Sequence, residues 1–599
     1  MEGPVVPKQL NYSDVLPVAI ESKSNKRTFE PTNGNTFGPT GNRIIRLNIN
    51  SDNLCDFTHS FLQATLVNTT TTTGSHGDGA GRTDGKRRAT SMALDYGVPW
   101  IKRLQILSGG QELEDINEYG RLYSMLASAQ GNPEQNNEKG MNSGLLSNYG
   151  NKIVDGRQIA VLGGNTGGDA GKLSLASDTL KVADIVQTIA INQNTQNPYL
   201  HNGVKFENAW LHTSNIDATV KEQVTQFNDQ VPSLLSNQFS KTATDEDYLV
   251  TDDVNADAAN AAYVKGGAMK SQTEYTYNIN LVSAILNNSK YWPLIFTNLG
   301  LDLYIHLEDA VNIGAYSRFV DTANVGTITP NYEIKNVRFH AHLVDVDRSF
   351  YDRMRMAMQQ AGGVLQMSGT TFKHYLDTHV ATSDTHMVQI STRVKSLNAL
   401  LVRPQRQSLN NKLKHFCVSV GEGCNMNNFA FRVGSVQYPQ RGVDLTDTNM
   451  GESYSEVRKV FGTLGTYDNN TYLNQLTFPR GYAGGFGSFT GANTDTTTQH
   501  NQLNNSASPG SPYSFFTAAY GFEGFAKTAT ESGINVSDRA LPVICEIKRD
   551  VSDVMVLTDG FNSAKHNAAV DETHIRYDVF AMTDMIVYIT ADGAVSTRV

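Results

Sequence analysis

Cysteine is scarce: Cys55, Cys417, Cys424 and Cys545 are the only four in 599 residues. Thiols so few and so scattered cannot staple a chain of this length, so burial must hold the fold, and a reducing compartment is expected. Charge is sparse as well. Asp, Glu, Lys and Arg make up 18% of the chain, against roughly 25% in an average soluble domain, and Asn, Thr, Ser and Gly fill the polar places. Positive charge is the scarcer sign. Lys and Arg number 49 against 59 Asp and Glu, a formal net charge of -10, which argues against a chain whose main work is coating nucleic acid. Long hydrophobic runs are also missing. The N-terminus MEGPVVPKQLNYSDVLPVAIESKSNKR has no apolar stretch of signal-peptide length, and nowhere do about 18 apolar residues follow one another. Cytosolic synthesis with no membrane span is the expectation. Asn-x-Ser/Thr triplets at Asn68, Asn469 and Asn535 arise by chance in so Asn- and Thr-rich a chain, and carry no weight without a secretory signal.

What is present is the period of strands. Ile45, Leu47 and Ile49 alternate with polar residues, and Phe61, Ala64 and Leu66 lie in a second strand-like run. Leu301, Leu303, Ile305 and Leu307 alternate in LDLYIHLED, Val337, Phe339, Ala341 and Leu343 in NVRFHAHLVD, and Met585, Val587 and Ile589 in DMIVYIT. Short strands separated by Gly, Asn, Asp and Thr loops predict an all-β sandwich. Two segments predict helix. EDINEYGRLYSMLASAQGN spaces Ile116, Leu122, Met125 and Leu126, with Gly131 as a stop, and DVDRSFYDRMRMAMQQAGG puts Phe350, Met354, Ala357 and Met358 on one face, with Asp347 or Ser349 as cap and Gly362 and Gly363 as stop. The methionine stripe is expected to pack against a sheet edge.

A chain of this length exceeds what one core usually organises, roughly 250 to 300 residues. The layout runs twice through alternating strands, a helix, polar insertions and a closing strand, LYIHLEDA in one half and VYITADG in the other. The insertions, residues 69 to 91, Ser236 to Gln272 and 491 to 512, are polar and poor in large apolar side chains. Ala315 to Tyr332, rich in Thr, Asn and Gly, is the expected boundary. The division is 1–41 as an extended, Pro-punctuated arm, 42–320 as the first unit and 321–599 as the second.

Chemical motifs are weak. His340 and His342 in FHAHL would point to one face of a strand, as in cupin metal sites, but no third ligand follows at cupin spacing, so two polar residues on a solvated face is the preferred reading. Cys417 and Cys424 flank VSVGEG at a spacing that fits no zinc knuckle. The carboxylates around Asp247, Asp252 and Asp253 lack the pattern of a calcium loop. Gly163 to Lys172 lacks the spacing of a phosphate loop. Lys86, Arg87 and Arg88 form a short basic cluster explained as well by loop solubility as by a nucleic-acid contact. G-x-S-x-G is absent, and no Ser-His-Asp or Cys-His signature occurs. Catalytic, cofactor-binding and metal-binding residues are therefore expected to be none, and no cofactor is expected.

The segments VPWIKRLQILSGGQELEDINEYGRLYSML, WPLIFTNLGLDLYIHLED and YEIKNVRFHAHLVDVDRSFYDRMRMAMQQAGG resemble the first half of the double jelly-roll major capsid proteins, in particular those of Polintons, Polinton-like viruses and virophages. FAFRVGSVQYPQRG, FAKTATESGINVSDRALPVICEIKR and IRYDVFAMTDMIVYIT resemble the second half, and the ordered set covers about Asn42 to Thr590. The resemblance implies an all-β fold of two consecutive eight-stranded jelly rolls with long loop insertions and a few short helices. It implies a non-enzymatic, hexon-like protein whose homotrimers form pseudo-hexagonal capsomers of an icosahedral shell around a double-stranded DNA genome. The implied partners are other copies of the chain, neighbouring capsomers, penton and minor capsid proteins, with no sequence-specific nucleic-acid binding. The implied location is the virion, after synthesis in host cytoplasm. The alternatives are a viral β-sandwich protein that binds a receptor or glycan through its Asn/Thr-rich loops, and a cupin-like metalloenzyme using His340 and His342.

Overall fold

The computed structural model describes residues 22–73, 91–95, 97–130, 268–269, 274–317, 327–360, 363–407, 417–445, 449–461, 473, 478, 515–522, 533–538, 541–551, 574–590 and 592–599.

Eight strands build the first unit: β1 (Ser22–Phe29), β2 (Ile44–Ile49), β3 (Leu54–Asn68), β4 (Ile101–Ser108), β5 (Gln111–Asn117), β6 (Glu274–Ile279), β7 (Leu301–Leu307) and β8 (Tyr332–Val346), with helix α1 (Tyr119–Gln130) after β5. They form two sheets, β1-β8-β3-β6 and β2-β7-β4-β5. Helix α2 (Arg348–Gln360) leads into the second unit, β9 (Val364–Val380), β10 (Thr385–Ile390), β11 (Leu397–Arg406), β12 (Met426–Val433), β13 (Val436–Asp444), β14 (Ala518–Gly521), β15 (Val543–Arg549) and β16 (His574–Thr590), with α3 (Gly451–Val460) after β13. Its sheets are β9-β16-β11-β14 and β10-β15-β12-β13, the first pair with every strand number raised by eight. Strands that alternate between two facing antiparallel sheets in this order make a jelly roll. The chain is a double jelly roll, and its layout is duplicated down to the helix after the fifth strand. A last strand, β17 (Val595–Arg598), pairs with β16.

One-sided burial explains the period-two runs. Along β7 every second residue, Leu301, Leu303, Ile305 and Leu307, is buried and the residues between are half-buried, and β2 alternates in the same way. β11 behaves differently: all ten residues of LNALLVRPQR are buried, with Arg403 and Gln405 against α1 of the first unit and Leu397 bridged to Ile534. α2 is amphipathic, with Tyr351 and Met358 buried, Phe350 and Met354 packed on the core and Met356 63% exposed. Gly363, at φ +80°, ends α2 by returning its N–H to the Met358 carbonyl.

The strand ladders divide the chain elsewhere than the expected boundaries. Ser22–Phe29, inside the supposed arm, is an edge strand paired with β8, and residues 1–21 lie outside the described residues. β8, assigned to the second unit by a cut at 320, pairs with β1 and β3 of the first. A jelly roll needs its eighth strand between the first and third, so the junction falls at α2. Ile116 lies in β5 rather than in a helix, and the helix begins at Tyr119. Of the polar insertions, Thr71–Thr73 forms a short ladder with Thr327–Thr329. Residues 74–90, 236–267 and 491–512 lie outside the described residues, as do Gly131, Gly362, Asn469, Lys86, Arg87, Arg88, Gly163 to Lys172, Asp247, Asp252 and Asp253. No helix among the described residues is long and apolar enough to cross a membrane.

Candidate functional site: the seam between the two units

Glu118 sits between β5 and α1 at φ +51°, a backbone region uncommon for any residue but glycine. It turns the chain so that α1 lies on the second unit. Arg121, one turn on, is buried and donates from Nη1 to Gln405 Oε1 at 2.6 Å and to Asp578 Oδ2 at 3.3 Å, while its Nε meets Glu118 Oε2 at 3.0 Å. Asp578, near the start of β16, also accepts from Arg576 Nη2 at 2.7 Å and lies 2.9 Å from His374 Nε2 of β9. Arg403 of β11 reaches the other way, from Nη1 to Ser124 Oγ at 2.8 Å and to the Arg121 carbonyl at 3.1 Å. Two further carboxylates cross the seam. Glu114 of β5 accepts from Thr371 Oγ1 of β9 at 2.6 Å and from the Ala284 N–H at 2.9 Å. Asp95 accepts from the Val418 and Ser419 N–H groups at 2.9 and 3.0 Å and from the Ser419 hydroxyl.

The electrostatics follow from burial and neighbours. Burial pushes the Asp578 carboxyl up, but the guanidiniums of Arg121 and Arg576 together with His374 outweigh it and hold the group well below the usual carboxylate range. Glu114 goes the other way, because burial outweighs the hydroxyls of Ser283 and Thr371 and the backbone N–H groups, so its carboxyl is raised. Burial, then Arg121, pushes Arg403 down to about 9. These groups lie beneath both units, where their effect is to fix one unit's orientation on the other. Close backbone approach tightens the same seam: a Cβ at Gly369 would come within 2.6 Å of the Ala284 carbonyl oxygen.

The seam covers part of the outer face of the sheet β9-β16-β11-β14, around Arg403, Gln405 and Asp578. The corresponding face of β1-β8-β3-β6 has no such contact among the described residues. It carries Lys26 and Thr28 on β1, His59, Phe61 and Gln63 on β3, and Arg338, His340 and His342 on β8, all exposed or half-buried. Lys26 Nζ lies 4.8 Å from the Phe61 ring centroid. His340 lies 3.1 Å from both Thr28 Oγ1 and Gln63 Oε1. Its pKa is lowered by burial, then by Lys26 and Arg338. His342 stacks obliquely on His59, ring centroids 5.9 Å apart. His340 and His342 thus share one sheet face, and no group of three ligating side chains gathers there or elsewhere among the described residues. Cys417 and Cys424 are buried thiols, as are Cys55 and Cys545. The backbone carbonyls of Cys417 and Cys424 receive Gln405 Nε2 and Arg549 Nε, at 3.1 and 2.8 Å.

A second buried group makes the fold sensitive to acid. His386 of β10 has Nε2 3.0 Å from the Val380 carbonyl and Nδ1 2.5 Å from the Tyr577 hydroxyl. A neutral ring suits both, donating through Nε2–H and accepting at Nδ1. Burial, then Arg549 and His379, push its pKa down to about 4. The unfolded chain takes up this proton near pH 6.5 and the folded chain does not until about pH 4. The contribution is therefore full above about pH 6.5 and lost as pH falls through that window, by up to about 3 kcal/mol. Calorimetry at about pH 7 and about pH 4.5 should show a smaller acid loss for His386→Gln than for the wild type. Equal losses would refute the assignment.

The sequence reading missed the seam. The one available signal was charge inside apolar runs: Asp578 in IRYDVFAM, Arg403 in LNALLVRPQ and Arg121 on the apolar side of its helix.

No protein-family model and no curated protein sequence matches the chain. Among solved structures it is similar to the Faustovirus major capsid protein, with 10% identity, 97% of this chain and 92% of that one covered, and a TM-score of 0.43. It is similar to the PBCV-1 virus capsid, with 8% identity, coverage of 97% and 98%, and a TM-score of 0.43. It is also similar to the mavirus major capsid protein, with 10% identity, coverage of 100% and 96%, and a TM-score of 0.41.

Proposed function

We propose that this chain is a major capsid protein whose trimers form pseudo-hexagonal capsomers of an icosahedral shell around a double-stranded DNA genome. The observation that carries the reading is the unequal treatment of two equivalent sheet faces. The outer face of the second jelly roll meets the first unit through Arg121, Arg403 and Asp578, while the outer face of the first has no such contact among the described residues. A chain that fills one of two equivalent contacts internally can repeat the contact from copy to copy, and a head-to-tail contact of this kind closes into a ring when the rotation permits. Two pseudo-equivalent units per chain and three chains give six jelly rolls in a ring. The segments named above that resemble double jelly-roll capsid proteins support the same reading, as does a weakly charged polar surface suited to many contacts. Penton and minor capsid proteins are the expected partners beyond the chain itself.

Light scattering and electron microscopy of the purified full chain test this. The expected species has three times the 65.6 kDa mass of the chain and associates further into closed shells. A chain that stays monomeric over a wide concentration range would overturn the reading.

A further inference from the structure

We propose that α3 docks on the outer face of β1-β8-β3-β6 in a second copy of this chain, where Glu452 meets Lys26 and Arg338. The proposal rests on the assembling-subunit reading and names the contact that reading requires.

The two helices hold the same place in their units, each following the fifth strand. Their first turns also match in sequence. Tyr119-Gly120-Arg121-Leu122-Tyr123-Ser124 stands beside Met450-Gly451-Glu452-Ser453-Tyr454-Ser455, with Gly, Tyr and Ser recurring in register. The charged residue between them changes sign. In the contact made within the chain, Arg121 of α1 meets the carboxylate of Asp578 on the second sheet. The matching position of α3 is Glu452, the acidic residue of that helix's first turn. Farther along α3, Glu456 pairs with Lys459 and Arg458 lies 5.7 Å from the Tyr454 ring centroid.

The outer face of β1-β8-β3-β6 has the sign that Glu452 needs. Lys26 and Arg338 are exposed on it beside the imidazoles of His59, His340 and His342. The carboxylates on or beside it are Glu30, 3.3 Å from Arg338, Asp56, held by Thr58 and His59, and Glu333, 3.2 Å from Lys335. α3 on a first-unit face brings Glu452 towards Lys26 and Arg338. Arg121 and Asp578 are already paired beneath both units of each chain, so the contact left for a second copy is the one between Glu452 and these cations. Charge pairs of this kind govern partner choice more than raw affinity.

The test uses full-length protein and reads the trimer fraction by light scattering at fixed concentration, with melting curves to verify folding. Glu452→Arg, and separately Lys26→Glu with Arg338→Glu, should each weaken trimer formation by roughly tenfold or more. All three changes in one chain should restore it to within a few fold. A wild type that trimerises while Glu452→Arg trimerises equally well overturns this contact and leaves the capsid reading standing. So does a combined variant that stays as weak as the single ones. A monomeric wild type sinks both.

Discussion

Replacing Asp578 by alanine should destabilise the chain by about 3 to 5 kcal/mol and separate the melting of its two halves. The side chain is fully buried in the first third of β16 and receives Arg121, Arg576 and His374. Removing it leaves the Arg121 guanidinium under both units with Glu118 as its nearest carboxylate at 3.0 Å. It also takes away one of the two carboxylates, after Asp95, that offset the neighbouring Arg403 in the same buried layer. Losing one partner of a buried pair costs more than the pair itself is worth, because the remaining charge keeps its desolvation penalty. Asp578 joins helix to sheet across the seam, so calorimetry of Asp578→Ala should show two overlapping transitions where the wild type shows one cooperative transition. A single transition with an unchanged midpoint would show that the seam does not couple the units. Asp578→Asn retains an acceptor and should fall between the two.

Glu422→Ala is expected to cost a similar amount, about 3 to 5 kcal/mol, but without splitting the transition. Glu422 and Arg406 are both fully buried inside the second unit. Arg406 Nε lies 3.0 Å from both carboxylate oxygens, its Nη2 also reaches Oε1, and its backbone N–H lies 2.9 Å from Oε2. The fork-to-fork geometry fixes the end of β11 against the turn that carries Gly421, where a Cβ would come within 2.3 Å of the Phe516 carbonyl oxygen. Alanine strands a guanidinium in the core. Chemical denaturation of Glu422→Ala beside Glu422→Gln measures this, and a difference from wild type below about 1 kcal/mol would contradict it. The two substitutions together distinguish a carboxylate that joins units from one that holds a single unit.

The edges of legibility lie at particular residues. Ile45, Leu47 and Ile49, and Leu301 through Leu307, announce strands because each has one face on a core and one towards solvent, which imprints a period of two. β11 carries no such imprint because it is buried on both faces. The region Ala315 to Tyr332 has the composition of a linker, yet Gly314–Ser317 pairs with Ser91–Leu94 and Tyr332 begins a strand of the first unit. The true junction, α2, looked like part of a domain because an amphipathic helix reads the same whether it lies within a unit or between two. His340 and His342 were legible as a pair on one face, but not as part of a patch with Lys26, Phe61 and Arg338, which sequence separates by up to about 300 positions.

By itself, the sequence determined that this chain is a weakly charged all-β protein with a duplicated plan and few thiols, because composition and period-two burial are local properties that each segment carries alone. Tertiary structure decided which sheet face meets the other unit. Glu114, Arg121, His374, Arg403, Gln405 and Asp578 come from five elements and are ordinary polar residues in their own segments. They become a seam only when two jelly rolls close over them, since the strength of a charge pair depends on the burial and distance that folding creates.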